Sequence, residues 1–421
     1  MPAPERSSPG EVRAALVRLR RGSRALRRQP LHERVQALGR VLERFRAPDS
    51  AERRQLEREL PEATGFATAT VREGLALALA EFSAVALEGL VEREIGTFGK
   101  GRLATGFDTT AVMLGGGVPT PTLLALAAPL LVGSPVLART SSHDPLTARV
   151  FASALAAEAP ALAEHLELVS FPSDDDAALR ELLAASCVVA FGSDETMTTL
   201  GARLGPTQRF VRHGHRLSVA VLGGTAQSGP ALAQGAAALA RDVALWDQQG
   251  CLSPVALYVL GVERVPDALL AALVAGFEEA AQRWPRGRVS TQASVRSVAE
   301  RDTAELRAAA GADVRVRAGR EFTLVAEPDA AFRGSPLNRF LRIYPVASAE
   351  QLLEALTPLG PHLAAVGVAG LAAELDALAP ELAALGAARV CSLGTLQCPP
   401  LAWCHDQPGV LLPLARLTDI D

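Results

Sequence analysis

The stretch C-V-V-A-F-G-S, residues 187–193, decides the fold class of this chain. Its unbroken apolar run is typical of a strand that is buried on both faces, and the glycine and serine end that strand. The residues that follow, D-E-T-M-T-T-L, read as a helix. A buried strand that turns directly into a helix is the repeating unit of a parallel α/β sheet.

The same alternation extends in both directions along the chain. Before it, T-A-V-M-L-G-G-G (110–117), S-P-V-L-A-R-T (134–140) and L-E-L-V-S-F (166–171) predict further strands, with a helix over L-T-A-R-V-F-A-S-A-L (146–155). Beyond residue 245 a second α/β unit begins with V-A-L-Y-V-L-G (255–261), whereas residues 1 to about 95 repeat apolar residues at helical spacing. We therefore expect an α/β protein with a helical N-terminal region.

Composition excludes several classes of partner. The chain has 421 residues, of which 49% are hydrophobic, and a formal net charge of −4, so it has no general electrostatic attraction for nucleic acid or for an anionic membrane. Residues 109–138 carry no charge over 30 positions, but G-G-G-V-P-T-P-T and Pro129 interrupt them. This run predicts a buried strand, loop and helix, and no membrane span.

Five cysteines are present, namely Cys187, Cys251, Cys391, Cys398 and Cys404. An odd number, without a C-x-x-C pair or a signal peptide, indicates a reducing, cytoplasmic location. The last three are separated by seven and six residues, which does not match the pairs that bind zinc, so no metal site is expected.

Three loops after predicted strands carry residues that suit a phosphate or a ribose. Gly192-Ser193 opens a helix and so offers backbone N–H groups and the positive end of the helix dipole, although an ordinary N-cap explains the same pair. Gly115–Gly117 permit close approach of a ligand but lack the G-x-G-x-x-G spacing, and a tight turn explains them equally. Arg139, followed by three hydroxyl residues, suits a ribose 2′-phosphate, with a helix capped at Asp144 as the alternative.

A cysteine in an unusually polar turn is the candidate nucleophile. W-D-Q-Q-G-C-L-S-P, residues 246–254, places Cys251 between an apolar helix and an apolar strand, after two amides and a glycine. Packing alone seldom requires so many polar neighbours. We therefore expect a reactive thiol at the cleft between two domains, with core packing as the alternative.

These three loops, followed by a cysteine that opens a second α/β unit, resemble the aldehyde dehydrogenase superfamily and, within it, the acyl-CoA reductase branch of LuxC-type fatty-acyl reductases. The resemblance runs from about residue 95 to the end. It is carried by G-G-G-V-P-T-P (115–121), L-V-G-S-P-V-L-A-R-T-S-S-H-D-P (131–145), F-G-S-D-E-T (191–196), R-H-G-H-R-L-S-V-A-V (212–221), D-Q-Q-G-C-L-S-P (247–254), P-L-N-R-F (336–340) and R-V-C-S-L-G-T-L-Q-C-P-P-L-A-W-C-H-D (389–406).

The resemblance implies an aldehyde dehydrogenase-like fold with a Rossmann-type cofactor domain and an α/β catalytic domain. The expected parts are a helical region over 1–95 packed on the cofactor domain, an NAD(P)-binding domain over 96–245, a catalytic domain over 246–395, and a C-terminal segment over 396–421 that returns to the cofactor domain or forms an oligomer interface.

The resemblance also implies the chemistry. Cys251, with Gln249 beside it, would attack an acyl thioester carried by coenzyme A or a carrier protein, and a nicotinamide cofactor would then reduce the bound acyl group. NADPH is favoured over NADH because of Arg139 and its hydroxyl neighbours. The cofactor-binding residues implied are Gly117, Val118, Pro119, Arg139, Thr140, Ser141, Ser142, Gly192 and Ser193.

Two departures from the superfamily pattern bear on activity. Hydrolytic members carry a glutamate that activates water, whereas the corresponding stretch here is Arg212-His213-Gly214-His215, with no carboxylate. A reductase needs the loss of this base, because the acyl-enzyme must survive until it is reduced. His213 or His215 is a candidate donor of a proton to the forming aldehyde oxygen. The alternative is a histidine at a strand edge that only bonds backbone. Gly117 stands where the superfamily usually has an asparagine that holds the oxyanion, so backbone N–H groups at Cys251 would have to do so.

Two other functions therefore stay open. The cysteine could transfer an acyl group without redox chemistry, or the chain could be a catalytically degenerate member that acts as an acyl-binding subunit. The resemblance further implies a homo-oligomer, for which G-V-L-L-P-L-A-R-L (409–417) offers an apolar strand.

Overall fold

The computed structural model describes residues 6–96, 102–372, 374–404 and 409–420, and the chain divides into two compact units. Unit 1 comprises residues 1–64, 78–215 and 400–421, and unit 2 comprises residues 65–77 and 216–399. Within the described residues, no helix is both long and apolar enough to cross a bilayer.

Five helices come first along the chain. A capping box stabilises the N-terminus of the first helix. The Ser8 hydroxyl accepts the Glu11 N–H at 3.3 Å, and the Glu11 carboxylate accepts the Ser8 N–H at 2.7 Å. Its buried stripe, with Val12, Leu16 and Leu19, follows helical spacing. The five helices are α1 (Pro9–Arg28), α2 (Leu31–Arg46), α3 (Ala51–Thr64), α4 (Thr68–Ala78) and α5 (Ala84–Glu94).

Unit 1 is built on a five-stranded parallel sheet with the order β4-β3-β2-β5-β6. The elements of this part of the chain are β1 (Arg102–Gly106), β2 (Thr110–Met113), α6 (Pro119–Leu131), β3 (Val136–Arg139), α7 (Thr147–Glu158), α8 (Pro160–Ala163), β4 (Leu166–Val169), α9 (Asp176–Leu182), β5 (Cys187–Phe191), α10 (Asp194–Gly201) and β6 (Arg209–His213). From β2 the chain proceeds to β3 on one side, and from β5 to β6 on the other. The carboxyl ends of β2 and β5 therefore form a topological switch point, where parallel α/β sheets bind ligands.

Unit 2 holds a seven-stranded sheet with the order β13-β12-β7-β8-β11-β10-β9, parallel except for the β9–β10 pair. Its core packs Val219, Tyr258, Tyr344, Val366 and Leu382 between strands and helices. The remaining elements of the chain are β7 (Leu217–Leu222), α11 (Gly229–Ala244), β8 (Pro254–Leu260), α12 (Asp267–Arg283), α13 (Thr291–Ala309), β9 (Arg315–Ala318), β10 (Thr323–Ala326), β11 (Phe340–Val346), α14 (Ala349–Leu356), β12 (Leu363–Ala369), α15 (Glu374–Leu385), β13 (Arg389–Ser392) and β14 (Ala415–Asp419).

The end of the chain belongs to unit 1. β14 pairs antiparallel with β1, with Ala104 opposite Leu417. The Glu94 carboxylate, at the end of α5, accepts the backbone N–H groups of Val410 and Leu411 at 2.8 and 2.7 Å, which anchors the approach to β14. His405 and Asp406, which close the last stretch of the resemblance, lie outside the described residues.

The division into units differs from the expected boundaries in three places, of which one is the end of unit 2, at residue 399 and not at 395. Unit 2 begins at Arg216 and not near residue 245, because β7 pairs with β8 and β12 in the seven-stranded sheet. Residues 65–77, expected with the other N-terminal helices, belong to unit 2, where the Trp246 ring occupies the space beside Gly74 on α4. The pairing of β7 and the packing of Trp246 against α4 therefore decide which unit these residues join, and their position along the sequence does not. The functional names of the domains remain predictions.

Candidate active site

The loop after β2 forms one side of the switch point in unit 1. A Cβ on Gly115 would lie 2.9 Å from the carbonyl oxygen of Phe191, so the loops after β2 and β5 touch at that position. Gly116 has a φ of +74° with open space where a side chain would be, and Gly117 and Val118 lead into α6 at Pro119. A glycine at Gly115 is what lets these two loops approach each other.

The start of α6 leaves polar groups without partners. Val118 occupies the N-cap position and provides no side-chain hydrogen bond. The buried Oγ1 of Thr120, in the first turn, has no hydrogen-bond partner among the described residues. Pro119 and Pro121 carry no N–H, so the N–H groups of Val118 and Thr120, with the orphaned hydroxyl, are what this helix start offers to an anionic group.

Two polar side chains of the loop after β3 form hydrogen bonds within unit 1. The Arg139 Nε donates to the Phe171 carbonyl at 3.0 Å, the guanidinium lies over the Phe171 ring, and burial lowers the pKa of Arg139. Ser141 is buried, donating to the Gly116 carbonyl at 2.8 Å and accepting the His143 N–H at 3.1 Å. Thr140 is buried and Ser142 is exposed. The Ser141 hydroxyl thus joins the loops after β2 and β3.

The turn after β5 is a capped helix start. Gly192 donates its N–H to the His213 carbonyl at 3.1 Å, and the Ser193 hydroxyl accepts the Thr196 N–H at 3.2 Å. All nine predicted cofactor residues therefore lie at the carboxyl ends of β2, β3 and β5, along one edge of one sheet.

The two candidate histidines lie at the end of β6 in unit 1. The His213 ring stacks on Phe191, with 4.4 Å between the centroids. The His215 N–H donates to the Asp194 carboxylate at 2.9 Å, and a Cβ on Gly214 would lie 2.6 Å from that oxygen. Asp194 was not predicted from the sequence. It brings a carboxylate to the stretch whose own residues carry none.

Cys251 and Gln249 belong to unit 2, in the turn between α11 and β8. The Cys251 carbonyl accepts a hydrogen bond from the buried Ser218 of β7 at 2.7 Å, and Cys251 itself is half-buried. Gln249 is exposed, and its N–H donates to the Trp246 carbonyl at 2.9 Å. The turn is therefore fixed to the neighbouring strand directly at the cysteine.

Three other thiols of the described chain lie in settings that oppose ionisation. Burial raises the pKa of Cys187 to about 12, and burial also raises the pKa of Cys391 and of Cys398. A thiol must ionise to act as a nucleophile, so these three positions are poor candidates. Among the described residues, no group of three or more His, Cys, Asp or Glu side chains is placed to hold a metal ion.

A buried polar network behind the cysteine turn was also missed from the sequence. The Gln397 amide donates to the Asp242 carbonyl at 3.1 Å and to the Ser253 hydroxyl at 3.0 Å. The Asp242 carboxylate accepts the Gly394 N–H at 2.6 Å, and burial raises its pKa to about 7. Gln397 lies within the last stretch of the resemblance, but nothing in the sequence connects it with a serine 144 positions earlier.

The fold of the chain is similar to that of aldehyde dehydrogenases. Over 99% of the chain it is similar to the proline utilization A protein, with a TM-score of 0.78 and 15% identity over 45% of that longer chain. Over 99% it is also similar to aldehyde dehydrogenase 21 from Physcomitrella patens, with a TM-score of 0.71 and 14% identity over 91% of that chain. The expected α/β fold with a helical N-terminal region is confirmed.

The chain belongs to the acyl-CoA reductase (LuxC) family, whose model matches residues 26–419. It is 23% identical over 247 residues to the long-chain acyl-protein thioester reductase of Aliivibrio fischeri, an alignment that covers 57% of this chain and 49% of that protein. The alignment thus spans about half the length of the curated relative. The predicted family is confirmed.

Proposed function

We propose that this chain reduces an acyl thioester to an aldehyde through a covalent thioester on Cys251, with NADPH as the favoured reductant. Family membership supports the overall reaction, and the single observation that carries the mechanism is the half-buried Cys251 in a turn bonded to Ser218. The Cys251 thiolate would attack the acyl carbonyl and form a new S–C bond. The bond to the donor thiol breaks, and that thiolate leaves with a proton from solvent.

The strand ends of unit 1 fit a nicotinamide dinucleotide. The N–H groups of Val118 and Thr120 and the orphaned Thr120 hydroxyl, at the uncapped start of α6, suit a pyrophosphate. Arg139 retains guanidinium N–H groups beyond the Nε that Phe171 occupies, which suits a 2′-phosphate. When bound, the cofactor supplies a hydride.

The chain's own residues would protect the acyl group until it is reduced. The Arg212–His215 stretch has no carboxylate that could activate water. The neighbouring Asp194 carboxylate accepts the His215 N–H through its Oδ1. Backbone N–H groups of the Cys251 turn are candidates to hold the oxyanion in place of the asparagine that Gly117 replaces, and His213 or His215 is a candidate proton donor. Reduction breaks the S–C bond and returns the Cys251 thiolate.

Intact-protein mass spectrometry tests this proposal. The purified chain is mixed with acyl-CoAs of several chain lengths, the mass is recorded, and NADPH is then added to the same tube. Cys251→Ala is the test variant and Cys398→Ala, another half-buried thiol of unit 2, is the matched control. We expect an acyl adduct that NADPH discharges as aldehyde in the wild type and in Cys398→Ala, and no adduct in Cys251→Ala.

Other outcomes would identify a different function. An adduct that neither NADPH nor NADH discharges would indicate acyl transfer without redox chemistry. Absence of an adduct with every coenzyme A and carrier-protein donor would refute the thioester mechanism and favour the degenerate acyl-binding subunit. Because the curated relative is named for an acyl-protein thioester, carrier-protein donors belong in the panel. The homo-oligomer and the cytoplasmic location remain predictions.

A further inference from the structure

Two short turns of unit 2 share an uncommon backbone conformation. Trp246, Asp247 and Gln248 have φ values of 57°, 48° and 63°, and Leu337, Asn338 and Arg339 have φ values of 64°, 57° and 69°. Residues other than glycine rarely adopt positive φ, and such residues persist only where the surrounding structure holds them. The first turn ends three residues before Cys251, and the second ends where β11 begins.

A buried ion pair joins the two turns. The Arg339 Nε donates to the Asp247 Oδ1 at 2.9 Å, and its Nη2 lies 2.7 Å from the same oxygen, with the side chains only 1% and 3% exposed. The other Asp247 oxygen accepts the Gly287 N–H at 3.0 Å. A buried charge pair of this kind is sensitive to the loss of either partner, because the remaining charge is then left unpaired.

The Gln248 side chain makes the second connection. Its amide nitrogen donates to the Pro254 carbonyl at 2.8 Å and to the Phe340 carbonyl at 3.0 Å, while its oxygen accepts the Phe340 N–H at 3.0 Å. One buried amide therefore ties the turn before Cys251 to the first residue of β8, after Cys251, and to the first residue of β11. We call the Asp247–Arg339 pair together with the Gln248 bonds the clasp.

We propose that the clasp positions the Cys251 thiol for attack on the acyl donor, with Asp247, Arg339 and Gln248 as positioning residues. Gln248 and Pro254 bracket the five residues that contain Cys251, and Ser218 holds the Cys251 carbonyl between them. Both ends of the segment and its middle are thus held by buried side chains. This inference rests on the proposed function, because an acyl transfer needs an oriented thiol.

The alternative is that the clasp only stabilises unit 2, and the choice of reagent separates the two roles. Attack on an acyl-CoA needs a thiol aligned with a bound carbonyl, and small misplacements of a reacting group reduce such rates by up to about 100-fold. Alkylation by iodoacetamide is a bimolecular reaction with a small reagent that needs no such alignment. Loss of positioning therefore lowers acylation and leaves alkylation nearly unchanged, whereas partial unfolding lowers acylation and speeds alkylation, because it exposes the half-buried thiol.

The experiment measures both rates at Cys251 in Arg339→Lys, Asp247→Asn and Gln248→Met of the full chain. Arg339→Lys keeps the charge but loses the planar fork, and Gln248→Met removes only neutral hydrogen bonds, so one variant remains informative if another fails to fold. The matched control is Arg34→Lys, a buried arginine of unit 1 that donates to the carbonyls of Leu26, Gln29 and Leu131. Circular dichroism and melting temperature select folded variants.

We expect the acylation rate to fall by about 10-fold or more in the clasp variants, with alkylation changed by less than about twofold, and both rates to be unchanged in Arg34→Lys. A folded clasp variant that acylates at the wild-type rate would overturn this inference alone. Slower acylation together with clearly faster alkylation would overturn it in favour of a stabilising role, because that combination marks an exposed thiol. If the wild type itself accepts no acyl group, the proposed function fails, and the clasp's positioning role fails with it.

Discussion

The strand-end loops of unit 1 and the cysteine turn of unit 2 are held in place in different ways. The loops after β2, β3 and β5 are short, each is placed by the end of its own strand, and a glycine and a serine hydroxyl then fit them together. The cysteine turn depends on partners distant in sequence, among them Arg339 and Phe340, 92 positions away, and Ser218, 33 positions away. A binding edge of a parallel sheet follows from topology, whereas a positioned nucleophile needs side chains assembled from several elements.

The largest expected effect isolates the nucleophile. Cys251→Ala should lower the steady-state rate of acyl-CoA reduction by at least about 1000-fold, because removal of a nucleophile leaves only binding and orientation. Cys398→Ala should keep the rate within about twofold, because that thiol is not part of the turn. Aldehyde formation, followed through NADPH consumption, measures both. Equal rates in the two variants would mean that Cys251 is not the nucleophile.

The second prediction concerns the pH dependence of stability behind the cysteine turn. Burial raises the pKa of Asp242 to about 7 in the folded state, from an ordinary value of 3.8. The folded chain then holds a proton that the unfolded chain releases. The contribution of Asp242 to the free energy of unfolding is greatest below about pH 4 and falls by about 4 kcal/mol as the pH rises to about 7.

Asp242→Asn removes this titration. The urea midpoint of the variant, relative to the wild type, should rise between pH 5 and pH 8, because only the wild type must bury a charge as the pH increases. Parallel pH profiles for the two proteins would show that Asp242 titrates as an exposed carboxyl. The polar network of Gln397, Ser253 and Asp242 behind the cysteine turn would then hold no acid with a raised pKa.

The third prediction tests the contact between the loops after β2 and β5. Gly115→Ala places a Cβ 2.9 Å from the Phe191 carbonyl and forces the two loops apart. We expect a loss of about 1–3 kcal/mol in stability, typical of overpacking, and a weaker affinity for NADPH measured by fluorescence titration. Gly89→Ala, on α5 of the same unit, meets nothing within 4 Å and should change neither quantity adversely.

The smallest effect concerns the choice of cofactor. Arg139→Gln should lower the ratio of kcat/KM for NADPH to that for NADH by about fivefold, because one charge-assisted hydrogen bond to a 2′-phosphate is lost. Arg149→Gln, which removes an Nε bond to the Pro145 carbonyl, is the matched control. A ratio unchanged by Arg139→Gln would mean that Arg139 serves only the Phe171 contact.

Much of unit 1 was predictable because its signals are local. A buried strand followed by Gly-Ser and a helix predicts a strand end at Gly192, and the same reasoning located Gly117 and Arg139 at the ends of their strands. The contacts between these loops could not be predicted from the sequence. Ser141 stays a predicted cofactor residue, and its hydroxyl also bonds Gly116 and His143, since a buried hydroxyl takes the backbone partners that its loop offers.

The sequence by itself determined the alternation of strands and helices, the family, and Cys251 as the candidate nucleophile, because these depend on residues close together in the chain. Only the tertiary structure decided that β7 joins the seven-stranded sheet, and that Arg339, Gln248 and Gln397 surround the cysteine turn. Burial of a charge or an amide is tolerable only when its partners are in place. Those partners are chosen by strand order and packing, which no short stretch of sequence encodes.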